Sequence, residues 1–241
     1  MEVNIFGEGA VGYKNIVKSS SSQDFFLYKK YKNYAVCTVA DGHSMDVFKY
    51  SHIGSYLACQ SVFEILKTYK LNEDIEKGEQ NFICDLKNKK VQNDIKNKWR
   101  DLVYREFYKR NYKVYKLDYM LFGTTLSFVI FLKEYIVFFN LGDSSILIKE
   151  DKDYVNVFKN NNFKFVNSLA LYNCEEKMQY NILKMNKDFK LVISTDGFIN
   201  SFETYYKLKS ELDRTFQILE KDIFSNRYLR NIYKIRFFIL Y

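Results

Sequence analysis

The stretch GTTLSFVIFLKEYIVFFNLGDSSILIKE, Gly123 to Glu150, decides the fold class. It holds three short runs rich in β-branched and aromatic residues: TTLSFVIF, YIVFFNL and SSILIKE. A turn at Lys133-Glu134 and the tripeptide Leu141-Gly142-Asp143 separate them. Runs of this length, divided by turn residues, predict consecutive strands. Outward from there the same character recurs in DFFLYKK from Asp24, YAVCTVA ending at Ala40, KLVIST ending at Thr195 and the closing IRFFILY. Between these blocks the period lengthens. From about Phe48 to Tyr69, Tyr56, Cys59, Phe63 and Leu66 fall at helical spacing. From roughly Phe82 to Arg110, Val91, Ile95, Trp99, Leu102 and Phe107 form one apolar stripe, and a further helix is expected over about Phe202 to Phe224. Segregated strands and helices in this order predict an α+β fold of two mainly antiparallel sheets packed together, flanked by helices. No repeat, linker or composition break divides the chain, so residues 1–241 are expected to form a single domain.

Of the 241 residues, 47% are hydrophobic and 18% aromatic, which excludes a disordered chain. There is no proline, where average usage would give about a dozen. Its absence beside abundant Lys, Asn, Ile, Tyr and Phe reads as a coding bias toward AT-rich codons. The net charge of +8, carried largely by Lys, shares that bias and so argues little for a nucleic-acid partner. The aromatics also sit in apolar strand runs rather than on a base-stacking surface. Cys37, Cys59, Cys84 and Cys174 form no CxxC pair, and only His43 and His52 stand beside them, so they are expected to be reduced, small buried groups. The opening MEVNIFGEGA lacks the basic and apolar parts of a signal peptide. No stretch reaches the roughly 18 apolar residues of a membrane span. A soluble cytoplasmic protein without a membrane partner is expected.

Three acidic turns share one construction, an apolar strand running into Asp beside Gly: CTVADGH at Asp41, FFNLGDS at Asp143 and VISTDGF at Asp196. A carboxylate at a strand end stands on a rigid scaffold with its oxygens beyond the sheet. The adjacent glycine admits close approach of the backbone or adds a carbonyl ligand. Such oxygen-only sets suit hard cations such as Mg²⁺ and Mn²⁺. Asp24, at the start of the first strand after the serine run, is a fourth candidate. Taken singly, an Asp-Gly is more often a turn, and spacing alone does not bring these residues together.

QDFF at Gln23, VADGH at Ala40, GTTLSF at Gly123, NLGDSS at Asn140 and ISTDGF at Ile193 occur in the order found in metal-dependent protein phosphatases. The chain resembles that family, protein phosphatase 2C, and its opening GYKNIVKSSSSQD resembles the compact bacterial members. The resemblance implies an α-β-β-α sandwich with two Mn²⁺ or Mg²⁺ ions at one end and a third weak or absent. Asp41 would bridge the two ions, and the carbonyl of Gly42 would bind one. Asp196 would be a ligand of the first, and Asp24 would hold metal-bound waters. Asp143 falls where the family places a carboxylate near a third ion. His43 matches a histidine that protonates the leaving alcohol in some relatives. The implied reaction is in-line attack of a metal-activated water on a phosphoserine or phosphothreonine of a protein substrate, by a monomer paired with a Ser/Thr kinase.

Three departures accompany the resemblance. Ser19 stands where the family has a phosphate-gripping arginine, leaving Lys18 as the nearest cation. Asn200 replaces an acid often found four residues after the last Asp-Gly aspartate. The family's late aspartate has no counterpart, because no acid follows Asp222. The matching stretch runs from about Leu229 to Asn231, among Arg227, Arg230, Lys234 and Arg236. A weak or inactive phosphatase-like regulator that binds phosphoproteins or partner proteins is therefore the alternative. His52, on the following helix, is expected to be a satisfied, partly buried residue, and Asp151 with Asp153 a solvated turn.

Overall fold

The structure, a computed structural model, describes residues 5–8, 22–110, 116–158, 166–185, 190–221 and 237–240. With strands numbered along the chain, one sheet has the order β2 (Phe25–Lys30), β3 (Ala35–Ala40), β4 (Leu126–Phe131), β5 (Tyr135–Leu141) and β8 (Gln179–Lys184). The other has the order β1 (Ile5–Glu8), β10 (Phe237–Leu240), β9 (Leu191–Ser194), β6 (Ser145–Glu150) and β7 (Asp153–Asn156). Every pairing is antiparallel.

The central strands read as unbroken apolar runs because both of their faces are buried. In β3, Ala35, Cys37 and Val39 point into the inter-sheet core with Val129, Phe131, Ile136 and Phe138. Ile146, Ile148, Leu191 and Ile193 meet them from the other sheet. The alternate residues Val36 and Ala40 join Phe128, Ile130, Val137 and Phe139 under the helices. Those helices are α1 (Ser51–Thr68), α2 (Ile75–Lys87) and α3 (Lys90–Arg110). On the opposite side, α4 (Tyr205–Lys221) packs Leu208, Leu212 and Phe216 against Leu147 and Val192. The result is the four-layer α-β-β-α sandwich expected from the sequence.

The stretch from Gly123 does form three strands, but only its first turn is a hairpin. After Leu141 the chain leaves the first sheet, and β6 begins the second sheet at Ser145. Gly142 makes this crossing at φ +122, where a side chain would be strained and would also press within 2.5 Å of Thr125 Cγ2.

The helix expected over Phe82 to Arg110 is two helices. α2 starts earlier, capped by Asp74, whose carboxylate accepts from Lys77 N. The chain breaks at Asn88-Lys89, with Lys89 at φ 59. The apolar stripe lies mainly on α3, where Val103 rather than Leu102 is the fully buried member. β1, β7 and β8 were not legible. They are sheet edges, and β7 and β8 carry exposed positions that break the apolar run. Cys37, Cys59 and Cys174 are buried and free, whereas Cys84 is exposed on α2, which corrects its expected burial. Asp151 lies in the turn between β6 and β7 at φ 52, and Asp153 pairs with Lys209 at 2.7 Å, both exposed.

Trp99 ties the helical layer together. It is fully buried on α3, and its Nε1–H donates to Gly54 O of α1 at 3.0 Å. Trp99→Ala should cost about 3–5 kcal/mol by loss of buried surface and a cavity. Trp99→Phe, which loses chiefly the hydrogen bond, should cost about 1 kcal/mol. Urea unfolding followed by circular dichroism measures both.

Candidate metal centre

The strand register brings the acidic turns together. Phe25 pairs with Ala40, so one further step sets Asp24 opposite Asp41. Ser145 pairs with Ser194, and two further steps set Asp143 opposite Asp196. The two sheets thus present a pair of acids each at one end of the sandwich. The pairs also sense one another, because Asp41 feels the charges of Asp24, Asp196 and Asp143.

The GTT block braces the first pair. Asp41 N donates to Thr125 Oγ1 at 2.9 Å, Thr124 Oγ1 donates to Asp41 O at 2.9 Å, and Thr125 N donates to the same oxygen at 2.9 Å. Ser168, from the segment before β8, donates its hydroxyl to Thr124 O and accepts from Thr124 N. Gly42 is buried at an isolated bridge to Thr124, and its N–H donates to Gln23 O at 3.2 Å. A Cβ at Gly42 would lie 2.5 Å from that same oxygen, so no larger residue fits. Its own carbonyl takes no hydrogen bond from the described residues.

Burial, then the hydrogen bond and charge of Asp24 and the charges of Asp196 and Asp143, push the Asp41 carboxyl well above the usual carboxylate range. Burial first, and Asp196 next, raise Asp143 as well. Asp143 Oδ1 is buried without a hydrogen-bond partner among the described residues. Asp196 opens a short helical turn, Asp196–Ile199, and its Oδ2 accepts from Asn200 Nδ2 at 3.1 Å. The residue that replaces the expected acid therefore serves as a hydrogen-bond donor to Asp196. His43 donates its N–H to Gly123 O at 3.1 Å, and its ring packs against Phe48 at 4.7 Å. Burial lowers its pKa below the ordinary histidine value, favouring the neutral ring. His52 lies exposed on α1, which corrects its expected partial burial; desolvation and then the charge of Arg110 lower its pKa.

Among the described residues no three His, Cys, Asp or Glu side chains form a ready metal cluster. The arrangement nevertheless fits a hard divalent cation. The donors are carboxylates and a carbonyl, the two raised carboxyls mark negative charge crowded out of water, and Asp143 Oδ1 lacks a partner among the described residues. Of the residues expected at the site, Asp24, Asp41, Gly42, Asp143 and Asp196 come together, and His43 is on the same loop as Asp41 and Gly42. Lys18 and Asn231 lie outside the described residues. Sequence reading did not single out Thr124, Thr125, Ser168 or Gln23. The signal for three of them was present as polar residues inside the quoted blocks.

An acid with a raised folded pKa holds its proton more tightly when folded, so the stability it contributes is present below the ordinary carboxylate pKa. It is lost as pH rises through the raised value. In EDTA, the contribution of these two carboxyls to wild-type stability should therefore decline as pH rises above about 4. Asp41→Asn should flatten that decline and gain on the order of 1 kcal/mol at neutral pH. Thermal melts of both proteins across the pH series test this.

Over residues 11–232 the chain matches the family model described as protein phosphatase 2C. No protein of curated function matches it by sequence. Among solved structures, it superposes on a bacterial serine phosphatase with a TM-score of 0.58 at 14% identity, covering 100% of this chain and 96% of that one. The serine/threonine phosphatase of S. agalactiae gives 0.57 at 16% identity, covering 100% and 98%. The Mycobacterium tuberculosis phosphatase PstP/Ppp gives 0.57 at 11% identity, covering 99% and 96%. These likenesses establish the shared fold, and the family match spans the sequence blocks that carry the acids. This chain belongs to the protein phosphatase 2C family.

Proposed function

We propose that the chain is a metal-dependent phosphoserine/phosphothreonine protein phosphatase, acting as a single domain on a phosphoprotein and opposing a Ser/Thr kinase. The observation that carries this reading is the meeting of Asp24, Asp41, Asp143 and Asp196 at one end of the two sheets, with Asp41 and Asp143 held as raised carboxyls. The catalytic domain of PstP has been solved in complex with two manganese ions, and two Mn²⁺ or Mg²⁺ ions are the corresponding proposal here. Asp41, Asp196 and the Gly42 carbonyl would hold them, with Asp24 and Asp143 acting close by. Bound ions of this kind supply Lewis-acid activation of water and neutralise charge on the phosphoryl oxygens.

The chain's own residues contribute orientation and proton control. The threonine hydroxyls fix the Asp41 backbone through its N–H and carbonyl, so that its carboxylate is directed toward Asp24 and the other acids. In this reading His43 would hold a proton for the departing alcohol. Its ring is biased toward the neutral form, so its acid form gains as pH falls. The reading as an inactive relative gains no support from the described residues.

Hydrolysis of p-nitrophenyl phosphate should require Mn²⁺ or Mg²⁺ and stop in EDTA, and Asp41→Asn should lose at least about a hundredfold in rate. No Mn²⁺-dependent rate above that of Asp41→Asn would sink the proposal. His43→Asn should slow a phosphothreonine peptide by roughly 10²-fold while sparing p-nitrophenyl phosphate, whose leaving group needs no proton. Equal losses on both substrates would remove His43 from the proton-donor role.

A further inference from the structure

We propose that Gln23 is a positioning residue for the metal centre, gripping the backbone on both sides of the Gly42 carbonyl. This inference rests on the functional reading above and assigns a role to a residue outside the acidic set.

Gln23 directly precedes Asp24 and makes four hydrogen bonds to two other elements. Its backbone oxygen accepts from Gly42 N at 3.2 Å and from Ser55 Oγ at 2.6 Å. Its side-chain Nε2 donates to His43 O at 3.1 Å and to Ser51 Oγ at 3.2 Å. Ser51 and Ser55 are fully buried on the first turns of α1. The Gly42 carbonyl belongs to the peptide unit between Gly42 and His43, whose N–H is tied to Gly123 O at 3.1 Å. Gln23 holds the peptide unit before it through the Gly42 N–H and the one after it through the His43 oxygen. Three consecutive peptide planes are thereby fixed, and the middle one carries the free carbonyl. Since Asp24 is the next residue, the same clamp sets the distance between its backbone and the Gly42 turn.

The chemistry selects an amide. His43 O is an acceptor only, and the single Nε2 reaches both it and Ser51 Oγ, which uses the two N–H bonds of one NH₂ group. Met fills the same space without a donor. Glu matches the shape, but when ionised it sets an oxygen against the His43 carbonyl. A residue of this kind acts through the ligands it orients, and loss of such a partner typically costs 10- to 100-fold in metal affinity.

The test measures Mn²⁺ affinity directly, from the electron paramagnetic resonance signal of free Mn²⁺, alongside thermal melts in EDTA. The proteins compared are wild type, Gln23→Met, Gln23→Glu and Ser51→Ala. The expected result is a loss of affinity of about tenfold or more in both Gln23 variants. Ser51→Ala, which keeps the bond to His43 O, should stay close to wild type. If the Gln23 variants melt lower but bind Mn²⁺ as wild type does, the residue is merely structural and the proposal is overturned. It is equally overturned if Ser51→Ala loses as much affinity as Gln23→Met. Should Gln23→Met fail to fold, Gln23→Glu decides alone. A folded wild-type chain that binds no Mn²⁺ would overturn the functional reading and this inference together, whereas the preceding outcomes touch Gln23 only.

Discussion

Repulsion among Asp24, Asp41, Asp143 and Asp196 is the constraint around which the molecule is arranged. Two like charges 4 Å apart at an effective dielectric near 20 repel by about 4 kcal/mol, and burial adds a desolvation cost to each. A chain free to relax would separate such groups. Here the strand register fixes Asp24 beside Asp41 and Asp143 beside Asp196, and the packing of the two sheets brings the pairs within each other's field. In the metal-free protein the stress shows as the raised pKa of the Asp41 and Asp143 carboxyls. On the proposed function, a bound divalent cation would relieve that stress by neutralising the crowded charge.

Such strain persists only on a rigid support. Both faces of β3, β4 and β5 are buried, so displacing a strand end would disturb the helical layer and the inter-sheet core at once. The crossing at Gly142 matters for the same reason. In three residues it carries the chain from one sheet to the other, with Asp143 inside the connection. The polar fastening is concentrated in short segments. Thr124, Thr125 and Gln23 attach to the backbone on either side of the acids and leave the carboxylates themselves available.

What the sequence made legible follows from the range of the interactions. The runs from Leu126 to Glu150 announce themselves because burial on both faces leaves few polar positions within them. The acids at 41, 143 and 196 stand out because each ends or interrupts such a run. The helix break at Asn88-Lys89 has no glycine or proline to mark it and depends on Lys89 adopting a left-handed backbone. β7 and β8 form by pairing to neighbours, with half-exposed sequences that carry little periodicity of their own. The fastening residues were hidden by distance along the chain. Gln23 and His43 are 20 residues apart, and Asp41 and Thr125 are 84 apart, so only the folded register shows their contact.

The pairing of Ile5–Glu8 with Phe237–Leu240 has a bearing on how the second sheet is assembled. β10 lies between β1 and β9, so β1 has no place in the sheet until β10 has arrived. On a ribosome, the segment from Ile5 to Glu8 emerges before β10 and must wait for the whole stretch between Glu8 and Phe237. Closing so long a loop is entropically slow. During that interval β9 and β6 stand with one edge uncovered, beside the strand ends that carry Asp143 and Asp196. Asp143 and Asp196, half of the acidic centre, therefore sit in the sheet that joins the two described strands farthest apart along the chain.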